Sequence, residues 1–477
     1  MQEKIVIAGG GLVGAMAACF LARRGHRVEV YERRRDLRVH DISAGRSINL
    51  ALANRGIHAL GKLGLMERVS QLRIPMRGRM VHEIDGGCHF QPYGQSPGEV
   101  IYSVSRGALN GLLLDAAEAS GNVEIFFERE LLDIDFAEKR ARFLDCAGNH
   151  PNSPFQPLPR KRGRGEYREE SISFDRFIGA DGAGSPTREL LLKEVRRSGP
   201  DTDCRERIEP LDHQYKELEI PAGASGSFQL EREALHIWPR GGFMLIALPN
   251  LDGSFTVTLF LPEKSSGDKP GFDALKNAEQ VDNFFQHYFP DAAALMPSLL
   301  EDFFNNPCGH LGTVRCAPWH LDGTAALIGD AAHAIVPFHG QGMNCGFEDC
   351  VELDRCIGQY PGDWREIFSH YGAARIPNAD AIADMALENY IEMRDSVRDP
   401  QFLLKKAIGF ELERRFPGRF IPRYSMVMFH HLPYAEAQRR GEINRGILAG
   451  LAEGIDSVDQ VDWNRARQLV EALLPRR

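Results

Sequence analysis

The sequence predicts an α/β protein with a Rossmann-like nucleotide-binding domain, an antiparallel-sheet substrate domain and a C-terminal helical region. Three observations carry this. A strand, a glycine turn, a helix and a second strand open the chain. Two later buried strands end in Asp-Gly and Gly-Asp turns. From about Glu206 the pattern changes to short runs joined by turn dipeptides.

The opening unit is the most informative. The apolar run Ile5-Val6-Ile7-Ala8 precedes Gly9, Gly11 and Gly14, and the run Val28-Glu29-Val30-Tyr31 closes on Glu32. Gly9 permits a tight turn, Gly11 lets a pyrophosphate reach bare backbone, and Gly14 lets the helix lie close on the strand. The helix N-terminus offers free N–H groups and partial positive charge to phosphates. Glu32 follows about 20 residues beyond the glycines, placed to accept hydrogen bonds from a ribose diol. The unit predicts dinucleotide binding; its bland alternative is a glycine-rich turn in an ordinary α/β unit.

Two later segments narrow the choice of dinucleotide. Phe177-Ile178-Gly179-Ala180-Asp181-Gly182 reads as a strand ending in a turn before a helix. Ala325-Ala326-Leu327-Ile328-Gly329-Asp330 is another buried strand, and it runs on into Pro337-Phe338-His339-Gly340-Gln341-Gly342-Met343-Asn344. Asp330 suits a carboxylate that accepts from a ribityl hydroxyl. The glycines after it suit a helix N-terminus under an electron-rich ring. For either aspartate the plain alternative is a helix cap.

Composition sets the outer bounds. The chain has 477 residues, 43% of them hydrophobic, enough for two or three domains. A net charge of −9 argues against a nucleic-acid partner. The nine cysteines are scattered without a C-x-x-C pair, as in a reduced cytosolic chain. No metal-ligand spacing appears, and His430-His431 read as ordinary histidines. The first strand begins almost at once, so no signal peptide is expected. No stretch approaches the roughly 20 apolar residues of a spanning helix. A cytoplasmic protein without a transmembrane anchor is the expectation.

Along the chain, residues 1–75, 101–190 and 321–360 are expected to form the discontinuous nucleotide-binding domain. Residues 76–100 and 191–320 form the sheet domain, and 361–477 the helical region. A helix is expected over 105–120, opening with Arg106. Strands are expected at 123–127, 131–136, 236–239, 243–249 and 254–261. The proline-rich, then basic stretch 149–170, with Arg160-Lys161-Arg162-Gly163-Arg164, reads as a solvated loop. Pro417, Pro422 and Pro433 divide the C-terminal helices.

Together the three glycine-acid segments resemble the FAD-dependent aromatic hydroxylases, flavoprotein monooxygenases related to para-hydroxybenzoate hydroxylase. Further segments look like the soluble bacterial kynurenine 3-monooxygenases within that family. They are Gly45-Arg46-Ser47-Ile48-Asn49-Leu50-Ala51-Leu52-Ala53, Ile74-Pro75-Met76-Arg77-Gly78-Arg79-Met80 and Asn389-Tyr390-Ile391-Glu392-Met393-Arg394, with Leu235-His236-Ile237-Trp238-Pro239-Arg240 and the stretch from Val336 to Asn344. The resemblance runs over about residues 3–445, and the polar insert 149–170 is its main departure.

The resemblance implies FAD as cofactor. It would be held by Val13 on the first turn with Gly9, Gly11 and Gly14, by Glu32 and Arg33 at the ribose, and by Ala51. Arg106 and Leu131 would lie near the pyrophosphate and adenine, Asp330 at the ribityl chain, and Gly342, Met343 and Asn344 at the ring. It assigns the carboxylate of L-kynurenine to Arg79, Tyr93, Asn389 and Tyr424, with Phe338 and His339 as pocket walls. The implied reaction uses NADPH to reduce FAD and dioxygen to form a C4a-hydroperoxyflavin, giving 3-hydroxykynurenine. No catalytic side chain is certain, because the aniline nitrogen already activates the ring. Without the family, Arg79 reads as a strand-edge arginine, and Asn389, on one helical face with Ile382, Met385 and Met393, reads equally as a core amide. The alternatives are a hydroxylase for another aromatic acid, a peroxide-producing oxidase and a non-catalytic flavin protein.

Overall fold

Strands buried on both faces carry continuous apolar runs, and half-covered strands alternate. In the computed structural model both kinds occur, in separate sheets. It describes residues 2–40, 49–146, 168–198, 204–396 and 399–476. The first sheet has six strands in the order His320–Leu321, Ala325–Leu327, Arg176–Gly179, Lys4–Ala8, Arg27–Glu32 and Val123–Phe127. All neighbours are parallel except the first pair. Lys4–Ala8 sits centrally, and Ile5, Val6 and Ile7 are fully buried. The glycine turn therefore emerges at the carboxyl end of a central strand, where open parallel sheets bind ligands.

The second sheet has seven strands: Cys308–Ala317, Arg205–Ile220, Phe255–Pro262, Met244–Pro249, Ala234–Pro239, Gly78–His82 and Cys88–Pro92. The expected antiparallel pattern holds except at one junction. Gly78–His82 runs parallel to Ala234–Pro239, with Arg79 beside Leu235 in register. That strand comes from the first hundred residues and inserts beside strands that follow much later, so no hairpin constrains its direction. A small antiparallel sheet, Asn49–Leu52, Ile101–Ser105 and Arg73–Met76, also crosses between the early segments.

A third antiparallel unit, Arg129–Asp135, Arg140–Asp145 and Glu169–Ser173, departs from expectation. Glu169 and Glu170 were expected in a solvated loop; they begin an edge strand. Glu169 lies on its exposed face, where Arg142 Nη1 donates to Glu169 Oε2 across the ladder at 3.0 Å, and Glu170 on the opposite face pairs with Arg129 at 3.6 Å. The rest of that loop with its basic run, and Gly45-Arg46-Ser47-Ile48, lie outside the described residues.

The helix expected over 105–120 spans Arg106–Glu118, with Ser105 Oγ accepting from the Ala108 N–H as its cap. After the helices Gly342–Gln359 and Trp364–Ile391 comes a single π-helical turn, Glu392–Ser396. The helices Arg423–Met428 and Tyr434–Ala452 each start directly after a proline, Pro422 and Pro433. There proline stands at the N-cap, where its missing N–H removes no helical hydrogen bond. Among the described residues no helix is long and apolar enough to cross a membrane.

Candidate active site

One cavity of about 820 Å³ runs from the glycine turn to the face of the seven-stranded sheet. It falls in the upper part of the range for ligand sites, about 300–1,000 Å³. At one end lie Gly9, Gly11, Val13, Glu32 and Arg33; along its length Ala51, Arg106, Leu131, Asp330, Gly342 and Met343. At the other end lie Arg79, Tyr93, Phe338, His339 and Tyr424.

The nucleotide end has the features a dinucleotide needs. The helix Leu12–Arg23 starts at Gly11 without a side-chain cap, so its first N–H groups are left for a ligand. A Cβ added to Gly11 would meet no atom within 4 Å, whereas one on Gly14 would lie 1.9 Å from the Gly9 carbonyl oxygen. Gly11 thus keeps space open, and Gly14 lets helix and turn touch. Glu32 accepts from the N–H groups of Gly10 at 2.8 Å and Arg34 at 2.9 Å, fixing its carboxylate at the cavity wall.

Val13 wedges between Gly329 and Gly346: Cβ atoms there would approach its methyls to 3.0 and 2.5 Å. Asp330 is exposed where it lines the cavity. Desolvation by the protein around it raises its carboxyl pKa, and the Arg106 charge opposes that shift. The backbone of Gly329, at φ +60°, is held by its N–H donating to Asp349 Oδ2 at 3.0 Å. The helix Gly342–Gln359 also lacks a side-chain cap, leaving a second set of N–H groups at the cavity. Gly340 has φ +62°, and a Cβ on it would meet Ala51 Cβ at 2.8 Å.

Two predicted residues do something different from what was expected, and Asp181 takes the plain helix-capping alternative. Asn344 is fully buried off the cavity wall. Its Nδ2 donates to the Ala51 and Gly340 carbonyls and its Oδ1 accepts from the Ala53 N–H, at 2.8 to 2.9 Å. It braces the cavity strand from behind. Asn389 is also buried behind the wall, its Nδ2 donating to the Phe338 carbonyl at 2.6 Å. It holds the wall in place. Asp181 caps the helix Pro186–Ser198, accepting from the N–H and hydroxyl of Thr187 at 3.0 and 2.7 Å.

The other end is a cationic aromatic box. Arg79 lies on the strand Gly78–His82 and is only 6% exposed. Its guanidinium carbon is 5.8 Å from the Tyr93 ring centre and 5.3 Å from that of Tyr424, and these two rings stack at 5.3 Å. Its ion pair with Glu392 is long, 3.5 Å. Arg79 Nε, Tyr93 Oη and His339 Nδ1 are buried without a hydrogen-bond partner. Three unpartnered polar atoms around one cavity are unusual in a folded protein and fit a polar ligand. His339 stacks on Tyr424 at 5.5 Å, and burial pushes its pKa down to about 3, so it is neutral at ordinary pH. Phe338 stacks on Tyr390 at 3.9 Å.

Several wall residues escaped the sequence reading. Leu235, Ile246 and Met428 line the cavity. Met428 lies one turn after Tyr424 on the same short helix, a spacing that puts both on one face. A metal-like trio, His333, Cys345 and Asp349, has ligand atoms within 4.8 Å of one another. Arg375 already neutralises it, donating to Asp349 Oδ1 at 2.6 Å.

Comparison with known proteins agrees with this geometry. The FAD binding domain family matches residues 2–386. The chain is similar to the kynurenine 3-monooxygenase of Myxococcus xanthus (46% identity over 473 residues, 99% of this chain and 96% of that one). It is also similar to that of Stenotrophomonas maltophilia (48% over 474 residues, 99% and 98%). Among solved structures, 2-methyl-3-hydroxypyridine-5-carboxylic acid oxygenase has the same fold at 18% identity, TM-score 0.62, covering 86% of this chain and 98% of that one. So does P. aeruginosa PqsL in complex with 2-aminobenzoylacetate, at 20% identity, TM-score 0.60, covering 83% and 97%. Near-half identity over the full length, with a nucleotide domain matched over most of it, places the chain plainly: it belongs to the kynurenine 3-monooxygenase family of FAD-dependent monooxygenases.

Proposed function

We propose that this protein converts L-kynurenine, NADPH, a proton and dioxygen into 3-hydroxykynurenine, NADP⁺ and water, with FAD as cofactor. One observation carries the reading: the cavity joins a capless glycine-turn helix and Asp330 at one end to a buried, weakly paired Arg79 flanked by two tyrosines at the other. When bound, FAD supplies electron transfer from NADPH and activation of dioxygen.

The chain's residues do the rest. The N–H groups after Gly11 and Arg106 hold the pyrophosphate, Glu32 the adenosine ribose and Asp330 the ribityl chain. Arg79 binds the substrate carboxylate, with Tyr93 and Tyr424 donating from their hydroxyls, which orients the aniline ring toward the Gly342 helix. Phe338, Leu235 and Ile246 line the path of that ring and keep water from the reacting carbon. Neutral His339 is a wall and a hydrogen-bonding group; burial makes it a weak base. Asn389 and Asn344 act through backbone, holding Phe338 and Ala51 where these roles need them.

The test is product identification. Purified protein with kynurenine, NADPH and air should yield a product one oxygen atom heavier that co-elutes with 3-hydroxykynurenine. NADPH consumption with only hydrogen peroxide formed, and kynurenine unchanged, refutes the reading.

A further inference from the structure

Gln341 stands between Gly340 and Gly342, in the turn that faces the cavity, yet its side chain points away and is fully buried. Its Oε1 accepts from the Tyr434 hydroxyl at 2.7 Å, and its Nε2 lies 3.0 Å from Met428 Sδ. Both partners belong to the C-terminal helices, beyond the segment matched by the FAD binding domain family. The Tyr434 ring is also completely buried, and the Arg55 guanidinium lies over its face at 3.8 Å. Arg55 pairs in turn with Glu348 on the Gly342 helix. Arg375 bridges Glu348 to Asp349, whose other oxygen fixes the Gly329 N–H. One tyrosine therefore touches the first cavity turn through its hydroxyl and is linked to the second only through Arg55, Glu348, Arg375 and Asp349.

We infer that Tyr434 is a positioning residue for FAD, fastening the 337–342 turn through Gln341. This rests on the flavin-binding reading above. Among the described residues the hydroxyl is the only donor to Gln341 Oε1, and no water reaches a residue with no exposed surface. Removing it leaves a buried acceptor unpaired. The turn can relieve that only by moving, and it moves where the ring of FAD is expected to lie. The Met428 contact extends the same fastening to the short helix that carries Tyr424, so the cofactor turn and the substrate wall share one anchor.

Tyr434→Phe separates the two roles of the residue, because it keeps the ring over Arg55 and deletes only the hydroxyl. The holoenzyme should keep its melting temperature to within a few degrees, while FAD dissociates about tenfold more readily, the effect expected for one buried unpaired acceptor. The absorption and fluorescence of bound FAD should change. Gln341→Ala should reproduce both effects, and the double variant should be no worse than Gln341→Ala alone. Wild-type FAD affinity and spectrum in Tyr434→Phe, or additive losses in the double variant, would overturn the inference. If Tyr434→Phe does not fold, Gln341→Ala decides alone by the same two readouts. FAD affinity and spectrum are read without substrate, so this outcome is distinguishable from failure of the kynurenine assignment.

Discussion

Arg79→Met is the most discriminating single substitution. Methionine keeps the apolar stem and most of the volume while deleting the charge. The structure predicts a small effect on the fold. The guanidinium has one long ion pair at 3.5 Å and an unpartnered Nε, so its burial is poorly compensated. The Glu392 side chain is 28% exposed and can rehydrate when its partner is gone. The stability change should stay within about 1 kcal/mol. Ligand binding should suffer far more. Truncating one partner of a buried, hydrogen-bonded charge pair costs about 2–5 kcal/mol. At about 1.4 kcal/mol per decade this is roughly a 30- to 4,000-fold rise in Kd for kynurenine. Tyr93 and Tyr424 remain as donors, which puts the expectation in the lower half of that range. Kynurenine titration followed by flavin absorbance gives Kd, thermal unfolding gives stability, and NADPH oxidation at saturating kynurenine asks whether the bound carboxylate stimulates reduction. An unchanged Kd, or kynurenine-stimulated NADPH oxidation at the wild-type rate, would refute the assignment of Arg79.

The two glycines of the first turn should separate cleanly. Gly11→Ala adds a methyl to open space and should leave the FAD-free protein's melting temperature unchanged while weakening FAD binding. Gly14→Ala places Cβ 1.9 Å from the Gly9 carbonyl oxygen and should destabilise the FAD-free protein itself by about 1–3 kcal/mol or more. Equal effects on both measurements would contradict this. Asp330→Asn removes the charge beside Arg106 and should weaken FAD binding about tenfold by fluorescence titration; an unchanged affinity would remove Asp330 from the cofactor site. His236 lies on the sheet face away from Arg79, and burial pushes its pKa down to about 4. It is neutral when folded, so the stability it preserves is complete above about pH 6.5 and is lost as pH falls from there to about 4. By then the loss reaches about 3 kcal/mol. Melting curves from pH 7 to 4.5 should fall less steeply in His236→Gln; an identical slope would mean that the fold leaves His236 titrating as it does in the unfolded chain.

What the sequence made legible, and what it hid, follows from the range of the interactions. The turn from Gly9 to Glu32 is local, and every residue in it was readable because strand, helix and acid occur in order within one unit. Arg79 was not readable from its own neighbours. It stands on a strand whose partner, Ala234–Pro239, lies more than 150 positions later, and only the parallel register beside Leu235 puts it in the cavity. Asn344 and Asn389 were singled out as contacts by the resemblance alone, and Asn389 read equally as a core amide; their amides are committed to backbone carbonyls. The Tyr434–Gln341 bond spans 93 residues and left no periodic or motif signal. Glu169 misled because charge marks solvent exposure, and one face of an edge strand is exposed as well, while Glu170 on the other face is held by Arg129.

The polar atoms left unpartnered in the cavity also bear on selectivity. A site lined only by Phe338, Leu235 and Ile246 would discriminate poorly among aromatic rings, since a single methylene is worth about 1–3 kcal/mol. A site with buried unpaired donors behaves differently. On the proposed anchoring, a ligand without a carboxylate leaves the buried Arg79 charge with only its long Glu392 pair, and sites built on buried polar groups reject the wrong ligand by about 10⁴-fold or more. In anthranilate or a hydroxybenzoate the carboxylate is attached directly to the ring. Bound to Arg79, either would hold its ring against Tyr93 and Tyr424, short of the Gly342 helix. Kynurenine places three chain carbons between carboxylate and ring, so the same anchor carries its ring across the cavity. On the proposed anchoring, Arg79 selects for a carboxylate, and the length of cavity beyond it selects for the longer amino acid.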